Sequence, residues 1–233
     1  MKNPILWTVH GVATVIAMSV ALWAVFFYAP ADVQPQMGAS WPYVQRIFYF
    51  HVAAAISAGL CYLLVFVGSV GYLRTRQDRW DHLGHVAAEL GVMFSVFVLI
   101  SGPLWARPIW GVFWRWEPRL TTMMITFTIY VAYLMVRSYG EPGERTQRFA
   151  AVVGIFAFVM VPFVRYSINL WAANQQLHPP SVELDPAMAT TKYLAYFAFA
   201  LLFSYLLRLR LSQERNADRL QELVRQRGRE SLR

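Results

Sequence analysis

Six apolar runs, separated by short clusters of charge, set the pattern of this chain. They cover residues 6–28, 47–73, 83–106, 120–136, 149–164 and 187–207. A soluble helix needs only one apolar stripe, whereas lipid demands apolar surface all round. Crossing the hydrocarbon core takes about 20 residues. The pattern therefore predicts an all-α integral membrane protein, a six-transmembrane-helix bundle. The fourth and fifth runs are short, but arginines at both their ends can snorkel to the interface. Residues 5–31 carry no formal charge and lack a small-x-small cleavage site, so the first run is expected to be an uncleaved span.

Charge sets the expected orientation. With both termini in the cytoplasm, 15 of the 21 basic residues fall on the inner side. Eight of those 15 are arginines of the segment 208–233, so that segment carries much of the vote. The expected organisation is a six-span membrane domain over 1–207 and a basic, helical cytoplasmic tail over 208–233. Leu220, Leu223 and Val224 give the tail a thin apolar stripe, suited to solvent or to a docked subunit. The net charge of +8 suits anionic lipid, and no nucleic-acid-binding motif accompanies it. The single cysteine, Cys61, excludes an intrachain disulfide, and there is no CxxCH site for covalent haem attachment.

The expected outer loops are 29–46, 104–119 and 165–186, and they hold many of the prolines and tryptophans. Trp105, Trp110, Trp114 and Trp116 fall within twelve residues of "GPLWARPIWGVFWRWEPRLTTMM", interleaved with Arg107, Arg115 and Arg119. Interfacial tryptophan belts are common, but four in one loop suit a flat aromatic ligand with anionic groups. Trp110 and Trp114 share a face if the segment is helical. Ile109, Phe113 and Trp116 widen it, and the arginines can pair with carboxylates such as haem propionates. Pro118 is placed as a first helical residue, with Glu117 at the cap position. Glutamate is longer than the favoured caps, so it is expected to cap the helix less well.

Of five histidines, His51 lies near the outer end of the second span, and His178 lies in the loop 165–186. Two neutral imidazoles from different segments can ligate haem iron from opposite faces. His82, His85 and Glu89 lie at the other end, spaced for one helix face. That spacing suits a metal, and equally suits solvated or hydrogen-bonded side chains. His10 is expected to be structural. No nucleophile–base constellation or phosphate loop appears, which suits a binding and transfer module rather than an enzyme.

The run "WGVFWRWEPRLTT" resembles the WGxxWxWD signature of the tryptophan-rich haem-handling proteins of cytochrome c maturation. With "PRLT", six spans and this length, most of the chain is similar to the haem exporter protein C family; "FYFHV" and "RYSINLW…LHPPS" fit its two ligand regions. The resemblance implies haem b held transiently at the periplasmic surface of the bacterial inner membrane. It implies His51 and His178 as axial ligands, Trp110, Trp114 and Trp116 as the platform, and Arg119 as the motif arginine, with Trp105 and Glu117 completing the expected haem-binding residues. Glu117 stands where the signature has Asp. The implied partners are a periplasmic haem chaperone, component E, the ABC transporter components A and B, and a small component D. Two further readings stay open: a bis-histidine electron-transfer cytochrome and a permease subunit. The scarcity of charge within the spans, Glu89 apart, weighs against a conduit through this chain alone.

Overall fold

A computed structural model describes residues 4–30, 43–170 and 184–230. Its described elements are all helical. They are α1 (Pro4–Trp23) with a π-helical continuation (Ala24–Tyr28), α2 (Gln45–Thr75), α3 (Asp78–Trp110), α4 (Pro118–Tyr139), α5 (Glu144–Ala157), α6 (Met160–Leu170) and α7 (Pro186–Glu230). Six helical stretches are long and apolar enough to cross a membrane, with α5 and most of α6 forming one of them. The fourth and fifth stretches, Pro118–Tyr139 and Glu144–Ser167, outrun their apolar runs. Polar residues at their ends extend these helices beyond the apolar runs. The fifth crossing breaks at Phe158 and Val159, where i→i+3 bonds replace the regular ladder.

The two longest inner spans, α2 and α3, form the central pair. Helices α4 to α6 pack on one side of it, and α7 and then α1 on the other. Small residues permit the central approach. A Cβ on Gly68 would lie 2.7 Å from the backbone nitrogen of Gly84, so the two backbones nearly touch there. Around this seam five tyrosines are almost fully buried: Tyr49, Tyr62, Tyr72, Tyr130 and Tyr133. Tyr62 and Tyr130 stack with centroids 3.7 Å apart, and the Tyr62 hydroxyl meets Ser95 Oγ at 2.7 Å. The outer helix α1 leaves Ile5, Val9, Val12 and Ile16 exposed, as a lipid-facing helix does. His10 joins α1 to α7 through Ser204 Oγ at 3.1 Å.

The bundle has two chemically different ends. One end holds the start of α2, the end of α3 and the start of α4, with the tryptophan segment between the last two. At the opposite end, Arg137 of α4 donates two hydrogen bonds to Asp81 of α3, at 2.6 and 2.7 Å. Gln147 of α5 bonds both Asp81 and the Tyr72 hydroxyl, so four helices meet in one polar knot. At this end α7 runs on past residue 207 without a break, to Glu230.

Candidate functional site

His51 sits in the second turn of α2, against the last third of α3. Its Nδ1 lies 2.9 Å from Ser101 Oγ, and Ser101 donates its own proton to the Phe97 carbonyl at 2.7 Å. A hydroxyl has one proton. Since Ser101 gives it to a carbonyl, which can only accept, Nδ1 of His51 must be the donor. In a neutral ring of this tautomer the lone pair lies on Nε2, and a nitrogen with a lone pair is what can ligate iron. Gly102 lets the ring lie close, because a Cβ there would stand 3.3 Å from His51 Cε1. The Trp105 ring lies 6.4 Å from the imidazole, and Phe48 and Trp110 extend the aromatic group at 6.5 and 5.7 Å from Trp105.

The tryptophan segment differs from its expected form. Helix α3 continues to Trp110, so 104–110 is helix rather than loop. Pro103 and Pro108 both lie inside it. Each removes one donor, but transmembrane helices accommodate such losses through neighbouring groups. Gly111 then ends the helix with φ +77°, a left-handed conformation that glycine adopts without strain, and its N–H bonds the Arg107 carbonyl at 3.0 Å. Trp110 and Trp114 therefore do not share a helical face. Trp114 instead packs edge-to-face on Trp116, centroids 5.6 Å apart. Trp105 is buried, Trp110 and Trp114 are half-buried, and Trp116 and Phe113 are 72% and 56% exposed. The segment thus grades from core to open surface within a dozen residues.

Glu117 closes the segment as the N-cap of α4. Its Oε1 accepts from the Leu120 N–H at 2.9 Å, with Pro118 at the first helical position. This corrects the expectation that glutamate's extra length compromises the cap: the extended backbone at Glu117 lets the longer side chain fold back onto the third helical N–H. Among the arginines, Arg119 is half-buried on the first turn of α4. Arg107 bonds the Gly111 carbonyl and lies over Phe113, bracing the turn. Arg46 lies over Tyr43 and donates to the Phe26 carbonyl at 2.9 Å, tying the start of α2 to the end of the first span.

Known proteins are similar to this chain over most of its length. The family model "Heme exporter protein C" matches residues 2–228. The chain belongs to the haem exporter protein C family. It is 30% identical over 231 residues to Heme exporter protein C of Escherichia coli K12, covering 94% of this chain and 89% of that one. The Paracoccus denitrificans Heme exporter protein C is 29% identical with the same coverage. A ccmC-like mitochondrial protein of Marchantia polymorpha, provisionally assigned to cytochrome c biosynthesis, is 34% identical over 172 residues; the match spans 65% of its length.

Within this member of the haem exporter protein C family, the structure brings His51, Trp105 and Trp110 together, with Trp114, Trp116, Glu117 and Arg119 following on the same connection. His178 lies outside the described residues. Ser101, Gly102 and Phe48 escaped the sequence reading. Nothing in the sequence marks Ser101, because its place opposite His51 comes from the packing of α2 on α3. His82, His85 and Glu89 lie at the opposite end and pair with α7: His82 with Asp218 at 3.2 Å and Glu89 with Arg210 at 2.6 Å.

Proposed function

We propose that this chain holds haem b transiently at the tryptophan end of the bundle, with His51 Nε2 on the iron, and releases it to a small periplasmic haem chaperone. As a member of its family, it is a multi-pass inner-membrane protein that handles haem in cytochrome c maturation. The observation that supports the finer reading is the His51–Ser101–Phe97 relay, in which Nδ1 donates, so that Nε2 is the basic nitrogen of the neutral ring.

Each part of the site has a task in this reading. Ser101 fixes the imidazole, and Gly102 leaves room for it. Trp110, Trp114 and Trp116 offer an apolar face to the macrocycle, backed by the buried Trp105. Arg119 supplies charge for a propionate, and Glu117 anchors the segment to α4. His178 is the second axial ligand by its match to the family pattern. Exposed Trp116 and Phe113 leave an edge that an acceptor can reach, which suits hand-over better than a buried electron-transfer haem. The excess of basic residues at the other end supports cytoplasmic termini and a periplasmic haem site. Residues 1–207 form the haem-handling domain, and the tail 208–233 faces the ABC components A and B and the small component D.

Protein purified after haem-replete expression should carry a Soret band and lose it to an excess of an apo-haem acceptor. A colourless protein that also ignores added hemin contradicts the reading. A haem that redox-cycles but never transfers favours an electron-transfer cytochrome.

A further inference from the structure

The end of the bundle away from the tryptophans carries a cleft that haem handling does not use. It lies between the start of α3 and the extension of α7 and has a volume of about 440 Å³. Arg79, Trp80, His82 and Leu83 line it from α3, and Leu211 and Arg215 line it from α7.

Ion pairs hold the two helices together beside the cleft. His85 faces Glu89 and Glu214, Arg210 bonds both of those carboxylates, and His82 meets Asp218 at 3.2 Å. These contacts occupy Glu89, Glu214 and Asp218. None of the residues lining the cleft is acidic, and Asp78, which precedes Arg79 in the chain, does not line it. Arg79 and Arg215 are exposed, and among the described residues neither guanidinium pairs with a carboxylate. The cleft therefore carries two uncompensated positive charges.

Its polarity has a direction. Leu83 and Arg79 lie one turn apart on α3, as Leu211 and Arg215 do on α7. On each helix the arginine is the one farther from the apolar span. The Trp80 ring packs on Gly71 of α2, where a Cβ would stand 2.5 Å from it, so this wall is firm. Arg79 lies over the same ring at 5.3 Å. Leucines below and guanidiniums above, at the level where the spans give way to charge, match the polarity of a phospholipid. Arginine pairs with phosphate through parallel N–H···O bonds, and tryptophan favours the headgroup level. A soluble anion has no use for the leucine floor. A zwitterionic headgroup brings an ammonium group to a cleft that offers it no carboxylate.

We propose that this cleft binds one acidic phospholipid, with its phosphate on Arg79 and Arg215 and its acyl chains against Leu83 and Leu211. The bound lipid links the extension of α7 to α3. The site stands apart from His51 and does not depend on the haem reading.

The test is native mass spectrometry of the full chain in detergent, titrated with phosphatidylglycerol and with phosphatidylcholine of the same acyl chains. One phosphatidylglycerol should bind at least about fivefold more tightly than phosphatidylcholine. Its affinity should fall about fivefold in Arg79→Gln or Arg215→Gln and about thirtyfold in the double variant, the weight of one and two basic groups at a membrane surface. Arg225→Gln, on the exposed part of α7, should leave it unchanged, which separates this cleft from general attraction to a basic tail. All three arginines are exposed, so folding should survive each change. Inorganic phosphate and glycerol phosphate should fail to displace the lipid. Equal affinity for the two lipids, phosphatidylglycerol binding that survives the double variant, an equal loss in Arg225→Gln, or displacement by inorganic phosphate each overturns the proposal.

Discussion

The Nδ1 of His51 lies 2.9 Å from Ser101 Oγ, and the only proton of Ser101 goes to the Phe97 carbonyl at 2.7 Å. Two helices thereby set which nitrogen of one imidazole is basic. Ser101→Ala removes the acceptor and lets the ring change tautomer. Hemin affinity should fall about tenfold, the low end for loss of a partner behind a metal ligand. Ser101→Thr keeps the hydroxyl and should stay within a few-fold of wild type. Titration followed at the Soret band checks both. Equal affinities for the alanine and threonine variants contradict a role for the relay.

Trp105 and Trp116 should separate folding from binding. Trp105 is 7% exposed in the core and Trp116 is 72% exposed. Trp105→Ala should cost about 3–5 kcal/mol of stability, as large aromatic deletions in cores do. Trp116→Ala should leave the thermal midpoint in detergent within about a degree, as exposed positions do, while weakening hemin binding. A Trp116→Ala protein that binds hemin as the wild type does removes this side chain from the platform.

Asp81 and Arg137 pair at the other end with side-chain exposures of 5% and 12%. Asp81→Ala strands a buried guanidinium and should destabilise the bundle by about 3–5 kcal/mol. Denaturation in mixed detergent micelles measures it. Hemin affinity of the surviving folded fraction should not change, because the pair lies at the end remote from His51.

Glu117→Ala removes the cap on Leu120 and should cost about 0.5–2 kcal/mol, while Glu117→Asp should recover most of it. Thermal scans of the two variants decide whether the glutamate cap is needed in this chain.

The spans were legible in the sequence because lipid imposes apolar surface on every helix face, and six runs of that kind have no soluble explanation. The tryptophan segment was legible as a cluster, but its shape was not. Whether helix α3 stops at Pro103 or runs to Trp110 depends on neighbours that replace lost backbone partners. Gly111 then ends it through a left-handed turn that a period-based reading passes over. Ser101 was hidden for a different reason. A serine in a membrane helix commonly bonds back to the carbonyl four residues earlier, and only the packing of α2 against α3 shows that it also faces His51. Glu89 was visible as a charge within an apolar run. Its partner, Arg210, is 121 residues away in the segment expected as a cytoplasmic tail.

The most direct test of the central claim is a hemin titration of wild type, His51→Ala and His51→Gly, the last with and without free imidazole. The wild type should form a Soret-active complex. Both variants should lose it or bind at least about a hundredfold more weakly, since an iron ligand outweighs its outer partners. Imidazole should restore the spectrum of His51→Gly. Unchanged spectra and affinities in both variants would contradict ligation by His51 and with it the proposed site.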